Sequence, residues 1–214
     1  MIISRRNTLI MAAATAAASV SGLGTARADD AVVIDQAKLM APAGLPDHVL
    51  GGKDAKVTVI EYGSETCPHC GRFHKDVYPG FKTKYIDTGK IKFIFRPFML
   101  NTLDLAVFIL AEIAGPDQYY TVIDTFYDNQ DKWVPSQTPK DAIQAIAVQL
   151  GFTPDSFNQA LTNQDLPKGI QAQRDQASND FQVTGTPTFY VNGKQMVGEQ
   201  TLEALSAAID PLLA

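Results

Sequence analysis

The chain has 214 residues, of which 45% are hydrophobic and 19% charged, and a formal net charge of −5. That length and apolar content suffice for one sizeable core with at most a second lobe, and no repeat or low-complexity run follows the N-terminus. The acidic balance argues against nucleic acid and anionic membrane surfaces as partners.

Residues 1–28 read as a targeting segment rather than as part of the fold. Arg5-Arg6 precedes an apolar, alanine-rich stretch over residues 9–23, which is too short to span a bilayer comfortably. Ala26-Arg27-Ala28 supplies a small-x-small cleavage site. The twin arginine resembles the Tat export signal, and an ordinary Sec signal is the alternative. Either way the mature chain is expected to begin near Asp29, in the periplasm, where disulfides persist. Removing the segment takes Arg5, Arg6 and Arg27 and no acid, leaving 15 basic against 23 acidic side chains, a net charge of −8.

Residues 29–56 form a short leader. A strand or helix can form over residues 31–40 before Pro42, Gly44 and Pro46 break it, and Gly51-Gly52 makes a turn. His48 is expected at the surface. Val57-Thr58-Val59-Ile60-Glu61-Tyr62 then gives the first sure strand, rich in β-branched residues.

Cys67-Pro68-His69-Cys70 follows and holds both cysteines of the chain. Residues 71–78 can continue as a helix. A Cys-x-x-Cys pair at a strand-to-helix junction reads as a redox-active dithiol. The reactive species is the thiolate, and a helix N-terminus favours negative charge there by about 0.3–1 kcal/mol, up to about 2 when partly buried. One pKa unit is about 1.4 kcal/mol, so the helix end explains roughly one unit and hydrogen bonds or a cation must supply the rest. His69 is the nearest candidate, and Pro68 suits the first helical turn. Cys67, at the helix start, is the expected nucleophile.

Other readings stand beside this one. A structural disulfide here closes only a four-residue loop and contributes roughly 2 kcal/mol. Cys67, Cys70, His69 and His74 suit zinc or copper, although no second ligand pair exists in a separate segment. A binding or chaperone module without turnover is a third. Glu61 interrupts an apolar run; as a buried carboxylate below the dithiol it can accept and return protons. His74 lies four residues after Cys70, on the same helical face, where it either tunes sulfur chemistry or caps the helix surface.

Lys90-Ile91-Lys92-Phe93-Ile94-Phe95-Arg96 alternates as a second strand, parallel to the first across a helical crossover. The pattern turns helical over residues 103–114, 117–128, 138–150, 154–161 and 165–180, with Thr138 as an N-cap and Pro139 at the first position of its helix. Phe189-Tyr190-Val191, the turn Asn192-Gly193 and Gln195-Met196-Val197 make a hairpin, and residues 201–213 a closing helix.

Cys67-Pro68-His69-Cys70, Glu61 six residues earlier and Thr184-Gly185-Thr186-Pro187-Thr188-Phe189 downstream together resemble the DsbA family of thioredoxin-fold thiol–disulfide oxidoreductases. The resemblance runs from about residue 57 to the C-terminus. It implies an α/β fold, with a thioredoxin-like sheet built from residues 57–101 and 181–214 and an all-helical insertion over residues 102–180. It also implies a buried resolving Cys70 and a cis Pro187 facing the dithiol. The backbone of Thr186 and Thr188 is then placed to pair with a substrate chain. The implied substrates are unfolded or reduced exported proteins, reoxidation falls to a membrane quinone-linked partner, and no cofactor or metal is required. The enzyme itself is not membrane-embedded. One departure is Thr186, where many strongly oxidising members carry valine and isomerases or reductases often carry threonine. The alternatives are therefore a disulfide isomerase or reductase of the same fold, or a zinc- or copper-binding thiol module.

Overall fold

The computed structural model describes residues 32–214; the expected export segment lies outside the described residues. Strands β1 (Val49–Gly51), β2 (Val57–Gly63), β3 (Ile91–Pro97), β4 (Thr188–Val191) and β5 (Lys194–Val197) form one sheet in the order β1-β3-β2-β4-β5. The β-branched run at residue 57 becomes the central strand, and all seven of its residues are buried. It pairs parallel with β3, Val57 opposite Ile91 through Gly63 opposite Pro97, as a right-handed helical crossover requires. β4 lies antiparallel on the other side of β2. It turns into β5 through Asn192 and Gly193, both at positive φ (45° and 89°), the geometry a two-residue hairpin turn needs.

The leader belongs to this sheet. Val49, Leu50 and Gly51 pair with Ile94, Phe93 and Lys92, so Gly51 ends a strand where the sequence suggested only a turn. At the opposite edge Ile34 donates to the carbonyl of Gly193, and Gln195 donates to that of Val32, both at 2.8 Å. Between these contacts runs helix α1 (Gln36–Leu39). Arg96 of β3 fixes the segment: its buried guanidinium donates to both Asp47 carboxylate oxygens at 2.8 Å and to the Leu39 carbonyl at 2.6 Å. A bidentate pair of this kind is oriented as well as strong. His48 is not a surface residue. Its side chain is mostly buried, 3.1 Å from the Glu112 carboxylate and stacked on Tyr119.

The crossover carries the dithiol and is not one regular helix. It runs as α2 (Pro68–Arg72), a π-helical turn over Phe73–Val77, α3 (Tyr78–Phe81) and a second π turn over Lys82–Ile86. Pro79 has no N–H to donate and its ring crowds the preceding turn; a widened turn accommodates it.

After β3 come α4 (Thr102–Ala114), α5 (Tyr119–Asp128), α6 (Gln130–Trp133), α7 (Pro139–Gln149), α8 (Pro154–Ala160) and α9 (Leu166–Asp180), and α10 (Leu202–Ile209) follows the hairpin. Thr138 holds the N-cap position of α7 without a side-chain cap bond; its own N–H donates to Ser136 Oγ instead. The larger core cluster joins Phe73, Phe93, Phe95, Phe108 and Trp133. A smaller one, on the other face of the sheet, joins Ile60, Tyr62, Phe181 and Tyr190. Among the described residues no helix is long and apolar enough to cross a membrane.

Candidate active site

Cys67 is the N-cap of α2, with φ −75° and ψ 121°, and Pro68 occupies the first helical position. The Cys67 carbonyl accepts from Gly71 N–H at 3.0 Å, which leaves the N–H groups of the first turn free to face the sulfur. Both cysteines are free thiols, and Cys67 is 6% exposed while Cys70 is fully buried. Hydrogen bonding from the Cys70 side chain is the largest influence on Cys67 and brings its pKa down to about 5, against the opposing effect of burial. The Thr186 side chain and the backbone N–H groups of Cys70 and His69 act in the same downward direction. Burial pushes Cys70 well up, as do its bond to the neighbouring sulfur and the negative charge of Glu61. One thiol of the pair is thus prepared to be an anion and the other to stay neutral.

The Thr186–Pro187 peptide is cis and brings the end of β4 against the dithiol. In the thiol form Cys67 Sγ donates to the Thr186 carbonyl at 3.3 Å. The Thr186 hydroxyl is buried without a hydrogen-bond partner, a donor available to a thiolate beside it. Thr188 is different. It is fully buried and sits inside the ladder, opposite Tyr62 on one side and Val197 on the other. Its backbone is not open to an incoming chain, so the expectation for Thr188 is corrected, while Thr186 stands before the strand and is half-buried.

His69 is also corrected in part. Its ring is exposed, with Nδ1 2.5 Å from Arg72 Nη2 and 3.3 Å from Glu199 Oε2. Arg72 donates to the same Glu199 oxygen at 2.9 and 3.1 Å. His69 reaches Cys67 through its backbone N–H, not its imidazole. The possible metal set falls apart in the same way, because His74 points into the core while His69 points out. Among the described residues no three His, Cys, Asp or Glu side chains cluster at ligand spacing.

Beneath the dithiol lies an acidic layer. Glu61 is fully buried, on the interior rather than the solvent side of its strand, and its Oε1 is 3.1 Å from His74 Nε2. Glu65 is also fully buried, with neither carboxylate oxygen paired. Burial pushes its pKa well up, and the charges of Asp104, Asp124 and Glu61 push the same way. Asp104 braces the approach to Cys67, accepting from Ser64 Oγ, Thr66 N–H and Leu100 N–H at 2.9, 2.8 and 2.7 Å. Gln130 donates through Nε2 to the carbonyls of Glu65 and Cys67 at 2.7 and 3.0 Å. Sequence reasoning missed Glu65, Asp104, Asp124 and Gln130. Glu65 offered one usable signal, a second acid within the strand-to-dithiol junction.

A family model described as Thioredoxin matches residues 45–211. A protein of Rickettsia conorii with the provisional name protein-disulfide oxidoreductase is 36% identical over 168 residues, 78% of this chain and 60% of that protein. The chain spans about three-fifths of the length of the curated relatives it matches. The crystal structure of Wolbachia pipientis alpha-DsbA1 superposes with a TM-score of 0.76 at 30% identity, over 84% of this chain and 96% of that one. Oxidised BdbD from Bacillus subtilis shares the fold, with a TM-score of 0.73 at 23% identity over 86% of this chain and 99% of that one. A thioredoxin-like sheet, a Cys-Pro-His-Cys N-cap and a cis proline opposite it come together in one chain that matches these proteins nearly end to end over its folded part, and the chain belongs to the DsbA-like branch of the thioredoxin family.

Proposed function

We propose that this protein is a periplasmic protein thiol–disulfide oxidoreductase that introduces disulfides into exported proteins. The observation that carries the reading is the asymmetry of the pair: Cys67 is held down to about 5 and Cys70 is pushed well up. A substrate thiolate attacks Cys67 Sγ of the oxidised pair, the Cys67–Cys70 bond breaks, and Cys70 leaves as a thiolate that takes up one proton. A second substrate thiolate attacks the substrate sulfur of the mixed disulfide, and Cys67 leaves as a stable thiolate. The substrate gains a disulfide and the enzyme gains the two electrons. Thr186, whose carbonyl already meets the sulfur, pairs with the substrate backbone. Glu61 exchanges the proton with Cys70. Reoxidation by a membrane quinone-linked partner completes the cycle.

A low-pKa leaving thiol stabilises the reduced enzyme and makes its disulfide a strong oxidant. The reduction potential, measured by equilibration with glutathione, tests this. It is expected nearer the strong-oxidant value of about −120 mV than the thioredoxin value of about −270 mV. A value near the latter replaces the oxidase with a reductase. One observation favours a second reading as isomerase or reductase: Thr186, with its unpartnered hydroxyl, stands before Pro187. Both readings use the same two sulfurs, and the potential separates them.

A further inference from the structure

Cys70 and Glu61 are both fully buried, so a proton exchanged between them needs a way out. Past the sulfurs the opening is narrow, because Cys67 itself is only 6% exposed. On the other side of Glu61 the structure offers a line of groups. His74 Nε2 is 3.1 Å from Glu61 Oε1, and His74 Nδ1 is 3.9 Å from Asp124 Oδ1. Glu61 Oε2, His74 Nδ1 and Asp124 Oδ1 are all buried without a hydrogen-bond partner. Orphaned polar atoms in a core are rare, and two of these, His74 Nδ1 and Asp124 Oδ1, are the pair 3.9 Å apart. The Asp124 side chain is 38% exposed while its Oδ1 is buried, so the carboxylate straddles the boundary. It lies on a cleft of about 180 Å³ shared with His74, Tyr78, Lys82 and Asp128. The 3.9 Å gap between Nδ1 and Oδ1 lies just beyond direct hydrogen-bond reach.

We propose that His74 and Asp124 carry the proton between Glu61 and solvent, so that the resolving thiol is served through the flank of its helix. This rests on the reading of Glu61 as the proton partner of Cys70.

The protons balance without any ring flip. When Cys70 leaves as a thiolate, Glu61 gives it a proton. His74 re-protonates Glu61 from Nε2, and Nδ1 takes a proton from Asp124. When the pair is reoxidised by a partner disulfide, Cys70 loses its proton to Glu61 and the same atoms pass it outward. Each cycle moves one proton in and one out, so the imidazole returns to its starting tautomer. The ring is held for this, stacked on Tyr127 at 4.0 Å and tilted against Tyr78 at 4.7 Å.

The titratable groups around His74 are Glu61 from β2, Tyr78 and Lys82 from the crossover, and Asp124, Tyr127 and Asp128 from α5. Burial pushes both tyrosines up, which keeps them neutral. Burial also lifts Asp124 to about 6, against the pull of a His74 cation. An acid in that range exchanges protons readily near neutral pH. The π turn over Phe73–Val77 contains His74, and π turns recur at functional positions.

The test is single-turnover oxidation of the reduced protein by glutathione disulfide, with the step in which Cys70 resolves the mixed disulfide followed from about pH 5 to about pH 8. Wild type is compared with Glu61→Gln, His74→Gln and Asp124→Asn. All three are expected to slow resolution at least about tenfold. The Asp124→Asn rate is expected to recover in imidazole buffer, which reaches the cleft, while its Cys67 thiolate titration stays unchanged. A slow Glu61→Gln beside a wild-type rate for Asp124→Asn overturns the route and leaves the Glu61 reading intact. Wild-type rates in all three overturn both. A slow Asp124→Asn that imidazole does not rescue, with the wild-type pH profile, assigns Asp124 to structure and also overturns the route. If His74→Gln fails to fold, Asp124→Asn decides alone.

Discussion

Gln130 holds Cys67 by its main chain: the amide Nε2 donates to the Cys67 carbonyl at 3.0 Å and also to Glu65 two residues earlier at 2.7 Å. The first residue of α6 thereby fixes the loop that enters α2. A Cβ on Gly71 would approach Gln130 Oε1 to 2.1 Å, so glycine there leaves room for the tether. Gln130→Ala strips two carbonyls of a donor and is expected to destabilise the fold by about 1–3 kcal/mol, or a few degrees of Tm for a chain this size. Gly71→Ala should cost a similar amount, and the double variant less than the two together, because both act on one contact. Thermal unfolding of the three variants checks it; full additivity means the tether does not matter.

The Cys67 thiolate ties stability to pH and to redox state. Its folded pKa of about 5 lies below the unfolded thiol value, so the stability it contributes is fully present above the unfolded value near pH 8.5. It is lost as pH falls through about 5. At pH 7 it is worth roughly 2–3 kcal/mol, against roughly 2 kcal/mol for closing a four-residue disulfide loop. The reduced form is expected to melt slightly above the oxidised form at neutral pH, and that order is expected to reverse below about pH 6.5. Calorimetry of both forms across that range checks it; an oxidised form that melts higher throughout speaks for a structural bridge.

Glu199 places a carboxylate beside Arg72 and His69, at the open end of the dithiol helix. Hydrogen bonds from Arg72, opposed by slight burial, keep it ionised. Glu199→Gln removes this anion and releases two basic side chains towards the sulfur. The Cys67 pKa is expected to fall by less than about one unit, and the difference to shrink in about 1 M salt, where screening acts over about 3 Å. Thiolate absorbance titration at low and high salt measures both; a raised pKa means Glu199 orders the helix rather than shielding it.

Glu65 works in the opposite sense from Cys67. Burial, helped by Asp104, raises its pKa well above the unfolded value, so its ionisation opposes folding above about pH 4.3 and the penalty grows as pH rises. Glu65→Gln should be neutral or slightly destabilising near pH 4 and stabilising at pH 8, a swing of at least about 1.4 kcal/mol. Denaturant midpoints at the two pH values check it; a pH-independent difference means that Glu65 ionises freely.

The sheet and dithiol were legible in the sequence because their signals are local. The run at residue 57, the alternation at residue 91 and Asn192-Gly193 each specify a conformation within a few residues. Cys67-Pro68 likewise writes its own N-cap. The layer beneath was legible in part: Glu61 interrupts an apolar strand and His74 shares the helical face of the cysteines, and the two meet in the core. Asp104 and Asp124 look like polar residues of helices, and only the packing of α4 and α5 against the crossover brings them to this layer. The imidazole of His69 escaped for the same reason: sequence proximity to Cys67 suggested contact with the sulfur, while Glu199, 130 residues away, captures the ring.

The leader's two contacts with the sheet bear on what the sheet leaves open to other chains. Unfolded chains readily add strands to an open sheet edge, and bare edges seed aggregation. Residues 32–34 lie along β5 and Val49–Gly51 lie along part of β3, so one short segment covers both longer strands that would otherwise be edges. On the proposed function, the mouth around Thr186, whose carbonyl meets Cys67, is the place for a substrate strand. Truncation to residue 56 would uncover β3 and β5 and also strip the buried Arg96 of Asp47 and the Leu39 carbonyl, so it is expected to destabilise the fold as well as to expose its edges.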